Sequence, residues 1–127
     1  SDLMLIRLKE LKVGAKVQLD NVYFEQSKAV LKEESFPELD RVVEMLKDNP
    51  NIEIKLEGHT DNQGNSKLNL KLSQERVDRV KEYLVQKGVS AKRIKGKGYG
   101  GSRPIASNAS EATRKLNRRV EFVVVKD

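Results

Sequence analysis

Between Gly58 and Arg76 the chain reads Gly-His-Thr-Asp-Asn-Gln-Gly-Asn-Ser-Lys-Leu-Asn-Leu-Lys-Leu-Ser-Gln-Glu-Arg, and the side chains best suited to chemistry gather here. Asp61 supplies a carboxylate in a polar turn, and Arg76 supplies a guanidinium in the helix expected after it. Opposite charges held at one strand–turn–helix junction suit a ligand that carries both an ammonium and a carboxylate, and the planar fork of arginine can engage both carboxylate oxygens. His59 is the single histidine. Neither a metal nor any other cofactor is expected, because no His, Cys or Glu spacing supplies further ligands. A hydrolytic role would rest only on His59 near Asp61 and Ser73, and no enzyme activity is expected. His59 and Thr60 are instead expected to hydrogen-bond within the turn that carries Asp61.

The helix after this turn has an unusual face. Advancing by about 100° per residue from Leu72, the side chains of Val77, Val80, Tyr83 and Leu84 form a core-facing stripe. Asn69, Ser73 and Arg76 fall in the middle of the same stripe, one or two turns earlier. Burying a guanidinium without a partner is strongly unfavourable. Either Arg76 pairs internally, with Asp61 as the obvious carboxylate, or this end of the helix lines a pocket. A pair that opens to divide between the two ends of a ligand combines both readings.

The elements that must position these residues follow from pattern. Val17, Leu19, Val22, Tyr23 and Phe24 suggest a first strand with an irregularity at Asp20-Asn21. Ser35-Phe36-Pro37-Glu38 has the form of a capping box. Leu39, Val42, Val43 and Leu46 then give a helix that Asn49-Pro50 ends. Ile52, Ile54 and Leu56 alternate with Glu53, Lys55 and Glu57, which predicts a second strand with one wet face. Ser66 is placed to cap the second helix, which runs to about Lys87 with Gly88 at its end. Arg93–Gly98 is a short third strand, Glu111–Lys115 a short helical turn, and Val120–Val125 a last strand apolar enough to sit centrally. The order β-α-β-α-β-(α)-β predicts an α/β (α+β) two-layer sandwich, with a mixed four-stranded sheet and two main helices on one face. The first crossover should be right-handed, with its two strands parallel.

The chain has 127 residues, 37% hydrophobic and 35% charged, which fits one domain with a modest core. Residues 1–16 read as a leader arriving from a preceding module, and 17–127 as the domain. No stretch approaches the roughly 18–20 apolar residues of a membrane helix, no signal peptide is visible, and the absence of cysteine excludes disulfides. The net charge of +6 admits an anionic partner. A nucleic-acid or anionic-surface binding module is therefore the alternative reading, with Arg114, Lys115, Arg118 and Arg119 as the one basic cluster. Gly96-Lys97-Gly98-Tyr99-Gly100-Gly101 matches G-x-G-x-x-G, but a loop with Pro104 follows where a dinucleotide site needs a helix.

Gly58-His59-Thr60-Asp61, with Gly64, Asn69, Leu72-Ser73 and Arg76, resembles the signature of OmpA-like peptidoglycan-binding domains. Val22-Tyr23-Phe24, Tyr83-Leu84, Gly88-Val89, Gly98-Tyr99-Gly100, Pro104-Ile105, Asn108 and Asn117-Arg118-Arg119-Val120-Glu121 extend the resemblance over residues 17–125. The resemblance implies a ligand: the free zwitterionic end of diaminopimelate in the peptidoglycan stem peptide, held by Asp61 and Arg76 with Asn69 in support. It also implies contributions from the loop after the first strand, where Glu25 stands in place of the commoner Asp, with Ser27 beside it. Thr60, Asn62 and Ser73 are neighbouring candidates. His59 and Arg118 are secondary or structural. The implied setting is the periplasm, where the domain would anchor an outer-membrane or envelope protein to the wall. Nucleic acid is not implied as a partner, and membrane attachment would lie outside this chain.

Overall fold

Every second residue of Ile54, Leu56 and Gly58 turns inward to build strand β2 (Glu53–His59) in the computed structural model, which describes residues 11–127. Strands β1 (Lys16–Gln18), β3 (Ile94–Gly98) and β4 (Arg119–Lys126) complete one sheet, in the order β1-β4-β2-β3. β4 is antiparallel to both β1 and β2, while β2 and β3 are parallel. β1 and β2 thus run in the same direction, but they are not neighbours. The last strand lies between them, a position its β-branched residues suit.

Among the described residues three α-helices accompany the sheet: α1 (Phe36–Asp48), α2 (Ser66–Gln86) and α3 (Glu111–Asn117). Leu39, Val42 and Leu46 of α1 and Val77, Val80 and Leu84 of α2 share one core with Ile54, Leu56, Phe122 and Val124. Both long helices therefore cover the same face of the sheet, giving the mixed four-stranded α+β sandwich expected. No helix among the described residues is long and apolar enough to cross a membrane.

Local details differ from the pattern. Strand pairing of β1 ends at Gln18, and Phe24 forms only an isolated bridge with Leu31. Ser35 does not cap α1. It ends a 3-10 turn in helical conformation, and its hydroxyl accepts the Tyr23 amide at 2.7 Å and donates to the Tyr23 carbonyl at 2.9 Å. The cap of α2 is Asn65 rather than Ser66: extended backbone at Asn65 lets its Oδ1 accept the Leu68 amide at 3.0 Å. Residues 1–10 of the leader lie outside the described residues. Leu11 and Ala15 pack against the core, and the Gly14 amide donates to the Val124 carbonyl.

Opposite the helices, register aligns two rows across the sheet: Lys16–Val123–Lys55–Lys95 and Gln18–Glu121–Glu57–Lys97. The wet face expected of β2 is only partly wet. Glu57 and His59 are each 4% exposed, and Glu121 is 6% exposed. Long cationic side chains lie over these groups: Lys16 Nζ is 3.3 Å from Glu57, Lys55 Nζ is 3.4 Å from Glu57, and Arg119 is 3.4 Å from Glu121. Alternation alone cannot distinguish water from a neighbouring cation as the cover of a carboxylate.

Candidate ligand-binding site

Where β2 gives way to α2, backbone and side chains fix the turn that carries Asp61. The Thr60 amide donates to the Gly100 carbonyl at 2.9 Å, and the Thr60 hydroxyl donates to the Asp61 carbonyl at 2.8 Å. Asp61 Oδ1 accepts the Gln63 amide at 2.9 Å, and the Asn69 amide group donates to the Gln63 carbonyl at 2.7 Å. Asn69 thus ties the first turn of α2 to the loop, while Thr60 does the bonding expected of the His59–Thr60 pair.

Glycines let α2 press on the strand ends. A Cβ at Gly98 would lie 2.3 Å from the Gln74 amide nitrogen, and one at Gly58 would lie 2.8 Å from the Ser73 carbonyl oxygen. The Ser73 hydroxyl occupies this contact, donating to the Leu70 carbonyl at 2.8 Å and accepting the Gly100 amide at 2.9 Å. The glycine run 96–101 therefore serves close helix–strand packing rather than phosphate binding.

A cavity of about 620 Å³ opens beside this junction. Asp61, Arg76, Asn69, Thr60, Ser73 and Ser27 all line it, as do His59 and Arg118. Glu25 and Asn62 are not among its lining residues: Glu25 is exposed, and the Asn62 side chain accepts a hydrogen bond from Gln63 at 2.7 Å. Glu25 contributes instead through its backbone. Arg76 Nε donates to the Lys28 carbonyl at 3.0 Å and Nη2 to the Glu25 carbonyl at 3.3 Å, and the guanidinium lies 4.8 Å from the centre of the Phe24 ring. The loop carrying these carbonyls turns through Ser27, whose φ of +58° is rare for a residue with a side chain.

The internal Asp61–Arg76 pair weighed from spacing does not form. Arg118 takes its place, with Nη1 2.7 Å from Asp61 Oδ2 and the fork held from behind by Glu111 at 3.0 and 2.6 Å. Burial alone would raise the Asp61 carboxyl, but the Gln63 amide and Arg118 outweigh it and hold it below its ordinary range. Arg76 forms no ion pair among the described residues. Burial first, then the Arg118 charge, lower its pKa from the ordinary arginine value. The cavity thus presents one arginine with only neutral partners and one carboxylate already facing a cation. A ligand carboxylate would meet the first, and a ligand ammonium could share the second.

His59 points to the other face of the sheet. It stacks on Tyr99, with centroids 5.4 Å apart, and its Nε2 is 3.1 Å from Glu121 Oε1. Burial and the Arg119 charge push it down to about 4. Ser73 faces α2 and Gly100, so the two do not form a nucleophile–base pair. Strand pairing does bring Glu57, His59 and Glu121 together, each offering a ligand atom within 4.8 Å of the others, a set that sequence spacing did not reveal. Lys16, 3.3 Å from Glu57 and 3.8 Å from Glu121, already supplies positive charge to both carboxylates.

The three arginines of the basic cluster are likewise paired internally: Arg118 with Asp61 and Glu111, Arg114 with Glu111, and Arg119 with Glu121. Arg118, Glu111, Gln63 and Phe24 complete the site and were not assigned to the Asp61 turn from sequence. Asn117 holds Arg118 in position through its fully buried amide, which accepts from Ile105 and Ala106 and donates to Ala106 and Asn108.

The OmpA family model matches residues 23–118. Outer membrane porin F of Pseudomonas fluorescens is 45% identical over 109 residues, 86% of this chain and 33% of the porin. Peptidoglycan-binding protein ArfA of Mycobacterium bovis is 44% identical over 86 residues, 68% of this chain and 26% of that protein. The chain therefore spans about a third or less of these relatives. Among solved structures, the cell wall anchor of the type VI secretion system from Pseudomonas aeruginosa superposes with a TM-score of 0.78 at 28% identity, covering 99% of this chain and 96% of that one. By this match over most of its length and by its identity to these relatives, the chain belongs to the OmpA family.

Proposed function

We propose that this domain binds peptidoglycan non-covalently through the free zwitterionic end of diaminopimelate in the stem peptide. One observation carries the reading: Arg76 lines a cavity with no carboxylate of its own, and Asp61 lines the same cavity. An α-amino acid end presents the two complementary charges, and Arg76 is held by three neutral contacts that leave its charge available. Neighbouring support comes from relatives described as a peptidoglycan-binding protein and a cell wall anchor. The role is tethering, without catalysis. The domain would stand in the periplasm and bind the wall itself, while regions outside this chain attach the parent protein to the outer membrane or envelope. A wall offers many sites, so weak individual contacts suffice once the parent protein is held nearby.

Cosedimentation with purified sacculi tests this reading. Asp61→Ala and Arg76→Ala, each still folded by circular dichroism, should bind about 10- to 100-fold more weakly, the loss expected for one charge-assisted contact. Free diaminopimelate should compete for the wild type. Undiminished sedimentation of both variants would reject the site, and absence of competition would reject the ligand.

A further inference from the structure

The face of the sheet turned away from α1 and α2 carries a separate, excess positive charge. Lys16, Lys55 and Lys95 lie in one register row across β1, β2 and β3, with Lys97 in the next row. Across three interstrand steps the row extends about 14 Å. Glu57 and Glu121 lie buried in the second row, where Lys16, Lys55 and Arg119 neutralise them. Lys95 and Lys97 are exposed and form no ion pair among the described residues. Arg103, itself 3.9 Å from Glu57, lies beside them on the loop after β3, with its guanidinium 3.8 Å from the centre of the Tyr99 ring, while Lys55 and Lys97 approach the same ring at 5.1 Å.

We propose that this face docks on an anionic phospholipid surface, with Lys95, Lys97 and Arg103 facing the headgroups. The inference is independent of the cavity reading, and it places on this chain a membrane contact in addition to the attachment that the family resemblance implies outside it. Charge complementarity selects an anionic partner. The shape of the face selects a plane: its cations stand on a sheet surface that no helix among the described residues covers. Nucleic acid fits less well. Stacking of bases needs an open aromatic ring, and Tyr99 is 9% exposed beneath three cations.

Cosedimentation with phosphatidylglycerol vesicles at low ionic strength tests the proposal, with phosphatidylcholine vesicles as the neutral surface. The wild type should bind the first and not the second, and added salt should release it. Lys95→Gln/Lys97→Gln should bind about 30-fold more weakly, at about 1 kcal/mol per cation removed from a headgroup surface. Lys67→Gln/Lys71→Gln, which removes the same charge from exposed positions on α2, should lose about twofold or less. Equal losses in the two variants, or no binding to phosphatidylglycerol, would overturn the proposal. Displacement from vesicles by equimolar duplex DNA would also overturn it, by identifying nucleic acid as the better occupant.

Discussion

At the scale of single residues, the site turns on what Arg76 touches. Two backbone carbonyls and the Phe24 ring hold the guanidinium in a fixed plane, and no carboxylate cancels it. A lysine at this position would keep the charge but lose the fork and the flat contact with the ring. Arg76→Lys should therefore bind sacculi about 10-fold more weakly while its thermal midpoint changes little, as isothermal binding curves and a melting scan on the same samples would show. The arginine was legible in the sequence because a helical wheel placed it where Val77 and Val80 should be. Its partner was not legible. Asp61, the carboxylate expected to face it, pairs instead with Arg118, 57 positions away. The order of strands in the sheet decides that meeting, and no local pattern encodes it. Glu57 was misread as exposed for a related reason: its distant covers, Lys16 and Arg103, come from β1 and the loop after β3.

At the scale of elements, two glycines and a serine weld α2 to the ends of β2 and β3. Gly98 offers the strictest test, because its missing Cβ would meet backbone atoms of Gln74 rather than a movable side chain. Gly98→Ala should destabilise the fold by about 3 kcal/mol, at the upper end of overpacking in a close contact, measured by urea denaturation. It should also weaken wall binding, since shifting α2 moves Arg76 away from the carbonyls of loop 25–28. The long elements themselves were plain from periodicity: both helices and the inner face of β2 occupy the expected residues. Caps were harder to read. Asn65-Ser66 offers two good capping residues in succession, and only the extended backbone at Asn65 selects the first. Ser35 looked like a cap, but it binds the main chain of Tyr23 instead.

At the scale of the whole molecule, the buried histidine links stability to pH. His59 titrates near 4 in the fold, because burial and Arg119 disfavour its charged form, against an ordinary value of 6.5. Its contribution is complete above about pH 6.5 and is lost as pH falls toward 4, because the unfolded chain then binds the proton that the fold excludes. The urea midpoint should accordingly fall over that interval, and His59→Gln should flatten the decline there. Glu57 and Asp61, both held below their ordinary values, lose their contributions only at lower pH.

The placement of β4 has a consequence in time. The last strand of the sequence is second in the sheet, and it alone joins β1 to the β2–β3 pair. Until residues 118–126 emerge from the ribosome or cross a membrane, Asp61 lacks Arg118 and the edges of β1 and β2 that β4 covers stay unpaired. The sheet then closes through contacts between distant parts of the chain, a step that topology makes slow relative to helix formation. An N-terminal fragment that stops before Arg119 would thus expose the two edges that β4 covers in the fold, the feature most prone to mispairing with other chains.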